Sequence, residues 1–112
     1  MLAQIQSIIA REEAFLPKFA PGTSQHSLLR NRIAALHTVC DLITGERHPF
    51  REELEFALPR IESIIHKMSV ARDKYEPGSR NYKRFDPTVR LMEDARALVE
   101  RAIEECSHES LC

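Results

Sequence analysis

Apolar residues recur three and four positions apart through most of this chain, and this spacing decides its predicted structure. Between positions 29 and 43 the repeat runs Leu29, Ile33, Leu36, Cys40 and Ile43. A 4-3-4-3 repeat places these side chains on one face of an α-helix. No segment alternates apolar and polar residues as a half-buried strand does, so the pattern predicts an all-α fold.

The first two helices are predicted from their ends as well as from their apolar residues. Helix 1 is short and runs from about Leu2 to Leu16. A hydroxyl at Thr23 or Ser24 can accept a hydrogen bond from a free backbone N–H and cap the start of helix 2. Gly45 suits the position just after its last turn. The apolar stripe covers about half of helix 2, so we expect helices on two of its sides.

Helix 3 is predicted from near Pro49 to about Tyr75, because proline suits the first turn of a helix. Its apolar repeat keeps the same phase on both sides of Pro59, which favours a kink and not a break at that residue. The repeat consists of Leu54, Leu58, Ile61, Ile65 and Met68.

Helix 4 is predicted to begin with Asp86 as the cap and Pro87 as the first helical residue, which are preferred residue types for those positions. It is expected to end near Cys106, with residues 107–112 as a flexible C-terminal tail.

Short connections between helices of these lengths favour antiparallel neighbours. The sequence therefore predicts a single domain over residues 1–106, an antiparallel up-down-up-down four-helix bundle with a short first helix and a kink at Pro59. Its core is expected to include Leu36, Ile61, Ile65 and Val99.

The composition of the 112 residues is that of a folded, soluble domain, with 43% hydrophobic and 29% charged residues. No stretch approaches the roughly 20 apolar residues that a membrane span needs, and no membrane contact is expected. Cys40, Cys106 and Cys112 are odd in number and lack metal-type spacing, so we expect no disulfide framework and a cytoplasmic location.

The net charge of −1 hides a separation of charge along the predicted bundle. The end with the helix 1/2 turn and the helix 3/4 loop collects eleven basic and five acidic residues, and the opposite end three basic and nine acidic residues. The basic residues of the first end are Arg11, Lys18, Arg30, Arg32, Lys67, Arg72, Lys74, Arg80, Lys83, Arg84 and Arg90.

Residues 72–90 and the start of helix 2 are the strongest candidate site, because Tyr75, Tyr82 and Phe85 are interleaved there among six basic residues. Such residues attract phosphates and stack on bases, or contact an acidic protein surface. A solvated loop with ordinary exposed charges is the alternative. The candidate binding residues are Gln25, His26, Arg30, Arg72, Arg80, Tyr82, Lys83 and Arg84.

No catalytic residue, metal site or cofactor is predicted. The donors His48, Cys106, His108 and Cys112 would meet at the acidic end, but their spacing matches no compact zinc-ligand pair. The sequence favours a small interaction module whose basic end binds an anionic partner, with a protein or a second copy of the chain preferred and nucleic acid less favoured. Self-association as a structural or regulatory bundle is the main alternative, and a small-molecule or metal-dependent enzyme is disfavoured.

Overall fold

The computed structural model describes residues 1–109, with side chains described for residues 1–106. All regular secondary structure in this range is helical, and the four α-helices pack around one apolar core, which confirms the all-α prediction. The elements are α1 (Leu2–Phe15), a 3-10 turn (Leu16–Lys18), α2 (Ser24–Thr44), α3 (Arg51–Arg72) and α4 (Arg80–Glu109).

Both ends of α2 are closed by the residues that the sequence indicates. Thr23 Oγ1 accepts a hydrogen bond from the His26 N–H at 3.3 Å and donates one to the Ala20 carbonyl at 2.8 Å. Gly45 has a φ of 71°, which glycine adopts without steric cost, and its N–H donates to the Asp41 carbonyl at 2.9 Å. The predicted cap of α2 and its terminating glycine are therefore confirmed.

A tight turn leads into α4. The Ser79 N–H donates to the Glu76 carbonyl at 3.0 Å, with Pro77 and Gly78 between them. Gly78 has a φ of 85°, and proline followed by glycine suits the two central positions of a type II turn. Ser79 Oγ then accepts a hydrogen bond from the Tyr82 N–H at 3.2 Å, so Ser79 caps the helix.

The predicted start of helix 4 at Asp86 and Pro87 is therefore wrong. The helix begins at Arg80, seven residues before the predicted first helical residue, and Pro87 lies inside it. A proline in this position removes one backbone hydrogen bond, which a helix of 30 residues tolerates when its apolar face is buried. The helix also continues to Glu109, beyond the predicted end at Cys106, and residues 110–112 of the predicted tail lie outside the described part.

The buried face of α3 is offset from the predicted one. Leu54, Ala57, Ile61 and Ile64 are buried, whereas Ile65 is only partly buried, so the expectation that Ile65 belongs to the core is wrong. Spacings of three, four and three residues fit one helix face as well as the predicted series does. The helix continues through Pro59 and ends at Arg72, and the kink stays a prediction.

The core is contributed by all four helices, but they are not equally attached. The largest interface joins α3 and α4, and α2 is in contact with all three other helices, as its wide apolar stripe predicts. Among the described residues, the backbone of α1 comes close to the backbone of α2 and of the adjoining 3-10 turn, and to no other helix. The buried apolar residues are Ile5, Ile9, Ile33, Ala35, Leu36, Val39, Leu54, Ala57, Ile61, Ile64, Val89, Met92, Ala95, Val99 and Cys106.

We expect Ile61→Ala to lower the free energy of unfolding by about 2–5 kcal/mol, because the 0% exposed side chain would leave a cavity. Ile65→Ala should cost clearly less, since its side chain reaches the surface. Val70→Ala, at a site 48% exposed, serves as the control and should stay within about 0.5 kcal/mol. Urea denaturation of the three variants measures the order, and equal losses at Ile61 and Ile65 would contradict the observed core.

Candidate functional site

Three cations at the start of α4 form an exposed group that we call the basic surface, defined as Arg80, Lys83 and Arg84. None of the three makes an ion pair within the described part of the chain. The first turn of α4 carries no acidic residue, so these positive charges lie beside the positive end of the helix dipole. This arrangement is unfavourable for the helix and favourable for a bound anion.

Arg72, predicted as a binding residue, instead forms ion pairs within the protein. Its guanidinium lies 2.9 Å from both Asp73 Oδ1 and Asp86 Oδ1, and it is only 19% exposed. Asp86 also pairs with Arg90 at 2.9 Å. Asp73 and Asp86 are therefore neutralised by cations outside the basic surface, and Arg80, Lys83 and Arg84 have no acidic partner among the described residues.

The aromatic rings of this region contact other parts of the same chain. The Tyr75 and Phe85 rings stack with their centroids 6.2 Å apart and an interplanar angle of 9°. Tyr82 is partly buried, and the Arg72 guanidinium lies 5.4 Å from the centroid of its ring. The ring faces that the sequence offered for stacking on bases are thus partly covered by protein.

The start of α2 contributes fewer residues to a candidate binding site than the sequence suggested. Arg30 is exposed, and His26 is partly buried with its Nδ1 unpartnered among the described residues. Of the predicted binding residues at the start of α2, only Gln25 reaches the cavity described next.

A cavity of about 540 Å³ lies where the four helices meet near the basic surface. Its walls are mainly apolar, with charged side chains among them. The lining residues are Ile8, Arg11, Glu12, Phe15, Phe19, Gln25, Leu28, Leu29, Arg32, Ile64, Lys67, Met68, Arg84, Phe85 and Thr88. Of the predicted binding residues, Gln25 and Arg84 are brought together here.

Each α-helix places one cation in the wall of this cavity: Arg11 from α1, Arg32 from α2, Lys67 from α3 and Arg84 from α4. Glu12 is the single acidic residue of the lining. All four cations belong to the basic end that the sequence predicts. Their convergence on this partly open cavity depends on helix packing, and the sequence pattern gave no signal for it.

Two charged side chains in the wall have atoms that are buried without a hydrogen-bond partner among the described residues, Glu12 Oε2 and Arg32 Nε. Burial raises the pKa of the Glu12 carboxyl above its ordinary value, although the charges of Arg32, Arg11 and Lys67 act against this shift. The wall of the cavity therefore has an unused donor and an unused acceptor buried beneath its surface.

Other kinds of site find less support in the described part of the chain. It contains no group of three or more His, Cys, Asp or Glu side chains that could hold a metal ion. The donor atoms considered at His108 and Cys112 lie outside the described side chains. None of the described helices is both long enough and apolar enough to span a membrane.

We expect Glu12→Gln to raise the melting temperature at pH 7. The folded pKa of Glu12 lies above its unfolded value, so its protonation stabilises the fold fully below about pH 4.5, and this contribution is lost as the pH rises through the folded pKa. Glutamine is neutral throughout, so the two proteins should converge near pH 4.5. Glu13→Gln, at the exposed neighbouring position, is the control. A Glu12→Gln variant that is less stable at pH 7 would mean that the attraction of the Glu12 carboxylate to the cations outweighs the cost of burying its charge.

Comparisons with known proteins add no relative to this description. No protein-family model, curated protein or solved structure matches the chain.

Proposed function

We propose that this chain is a small helical interaction module whose basic surface binds an acidic segment of a partner protein. The observation that carries the proposal is the unpaired set Arg80, Lys83 and Arg84 at the positive end of α4. Each cation there opposes the helix dipole by about 0.3–1 kcal/mol. Carboxylates of a partner would satisfy both the side chains and the free N–H groups of the first turn.

The proposed arrangement is an antiparallel up-down-up-down bundle, bent at Pro59, in which α2 and α4 begin at the same end. The ion pair between Arg72 at the end of α3 and Asp86 near the start of α4 supports an antiparallel course for these two helices. The cavity that collects one cation from each helix supports a common basic end.

An acidic protein segment fits the basic surface better than a nucleic acid does. Single-strand binding relies on aromatic rings that stack on successive bases, whereas Tyr82 and Tyr75 contact Arg72 and Phe85 within the chain. The net charge of −1 also departs from the basic character of dedicated nucleic-acid binders.

A cytoplasmic location is part of the proposal. One of the two described cysteines supports it and the other does not. Cys40 is a free thiol, as a reducing compartment favours, whereas Cys106 is disulfide-bonded, which departs from the expected absence of disulfides.

Self-association is the second candidate, and the charges at the two ends are its main support. The apolar stripes of α2 and α4 are largely used inside the chain, where Leu36, Val39, Met92 and Val99 are fully buried. A copy of the chain would therefore have to pair through its oppositely charged ends. The acidic end is partly neutralised by Arg47, which pairs with Asp41 and Glu53.

Removing two charges of the basic surface should weaken binding and stabilise the fold together. We expect Arg80→Gln/Lys83→Gln to bind a deca-glutamate peptide more weakly and to show a shallower salt dependence, because two ionic contacts are lost. The same variant should gain up to about 0.3–1 kcal/mol per charge, since the helix dipole is no longer opposed. Fluorescence anisotropy and urea denaturation measure the two effects.

Arg96→Gln/Arg101→Gln makes the same change of charge farther along α4 and is the matched control. A deoxythymidine oligonucleotide of equal charge is the second ligand. If the oligonucleotide binds more tightly than the peptide, and Tyr82→Ala weakens its binding further, the partner is a nucleic acid and not an acidic protein segment. Unchanged peptide binding in Arg80→Gln/Lys83→Gln would overturn the proposal.

Sedimentation at two ionic strengths tests self-association. Oppositely charged ends should give a multimer near 0.05 M salt that dissociates toward 1 M salt, because the Debye length falls to about 3 Å. A monomer at both ionic strengths, at concentrations well above micromolar, removes this candidate.

A further inference from the structure

We propose that the cavity between the four helices is a binding site for a small amphipathic anion, a molecule with one acidic head group on an apolar body. This site lies between the helices, shares Arg84 with the basic surface, and goes beyond the partner-binding function of that surface. Its volume of about 540 Å³ falls within the range of roughly 300–1,000 Å³ found for small-molecule sites.

The charges of the wall select an acidic head group. Arg11, Arg32 and Lys67 approach the cavity from three different helices, and Arg84 adds a fourth positive charge. Glu12 compensates only one of them. Arg32 Nε is buried without an acceptor among the described residues, and a carboxylate or phosphate oxygen would supply that acceptor. A donor left unpaired in this way costs free energy that binding would recover.

The remaining wall selects an apolar body. Side chains from all four helices contribute to it, among them Ile8, Leu28, Met68 and Phe85. Leu28 is 49% exposed, so part of this apolar surface is in contact with solvent. An inorganic anion would leave that surface wet, whereas an alkyl or aromatic body would cover it and gain the free energy of burial.

Decanoate, used below its critical micelle concentration, is the probe for this site. We expect it to bind with amide shifts in 15N-labelled protein at Gln25, Leu28 and Arg32, all of which line the cavity. Decanol lacks the charge and inorganic phosphate lacks the apolar body, so each should bind at least about tenfold more weakly.

Two pairs of matched variants separate the cavity from the surface. Leu28→Glu places a carboxylate in the apolar wall and should weaken decanoate binding at least about tenfold. Val70→Glu makes the same change at a site of nearly equal exposure, 48% against 49%, outside the cavity lining, and should have no effect. Arg32→Gln removes the unpartnered donor and should cost at least about tenfold, whereas Arg30→Gln, on the same helix outside the wall, should not.

Glu12→Gln is expected to strengthen binding, whereas Leu28→Glu and Arg32→Gln are expected to weaken it. Removing the one negative charge of the wall should strengthen binding of 1-anilinonaphthalene-8-sulfonate at pH 7 by about five- to tenfold. Its sulfonate stays ionised, and the cations that act on the Glu12 carboxyl are Arg32, Arg11 and Lys67. In the unmodified protein affinity should rise as the pH falls and Glu12 takes up a proton, and Glu12→Gln should remove this dependence.

Each variant is first checked for a cooperative thermal transition, so that loss of binding is not loss of fold. Equal affinity for decanoate and decanol, or equal effects of Leu28→Glu and Val70→Glu, would overturn the proposal. Loss of decanoate binding in Arg80→Gln/Lys83→Gln but not in Arg32→Gln would place the anion on the basic surface and also overturn it. Retained decanoate binding in a variant that no longer binds the acidic peptide would show the two sites to be independent.

Discussion

A charged side chain cannot enter an apolar core without a partner or water, and this constraint decides where the packing of the four helices ends. On α3 the last core residue, Ile64, is followed one turn later by Lys67. On α2, Arg32 immediately precedes Ile33, and on α1, Ile9 is followed by Arg11. The fully buried part of the core therefore ends near these cations, and beyond it Leu16, Leu29 and Met68 are only partly buried. The cavity is the space beyond the fully buried core, bounded by long side chains whose charged groups repel one another.

The same local device begins both α2 and α4. Pro21-Gly22 and Pro77-Gly78 each form the centre of a turn with a positive φ at glycine, of 90° and 85°. Each pair is followed by a hydroxyl residue that caps the helix. Proline restricts the unfolded chain and glycine permits the turn, so the position of each helix start is fixed locally. Where the two helices begin is thus independent of how well the cavity is packed.

The sequence was most informative where the structure is decided by neighbouring residues. Thr23 and Gly45 bound α2 as their residue types predict. The prediction for α4 failed because Asp86-Pro87 and Ser79 offer competing starts, and a proline-glycine turn together with a long buried face outweighs the one hydrogen bond lost at Pro87. The basic character of residues 72–90 was evident from the sequence. The pairing of Arg72 and the cavity were not, because both depend on contacts between residues distant in the chain.

Among the described residues, the backbone of α1 approaches α2 and the adjoining 3-10 turn alone, and this sparse attachment has a thermodynamic consequence. Cooperative units with the fewest tertiary contacts open at the lowest free energy, well below that of global unfolding. Detachment of α1 removes Ile8, Arg11, Glu12 and Phe15 from the wall together while α2, α3 and α4 keep their shared interfaces. Any occupant that contacts these side chains therefore adds its binding free energy to the stability of α1.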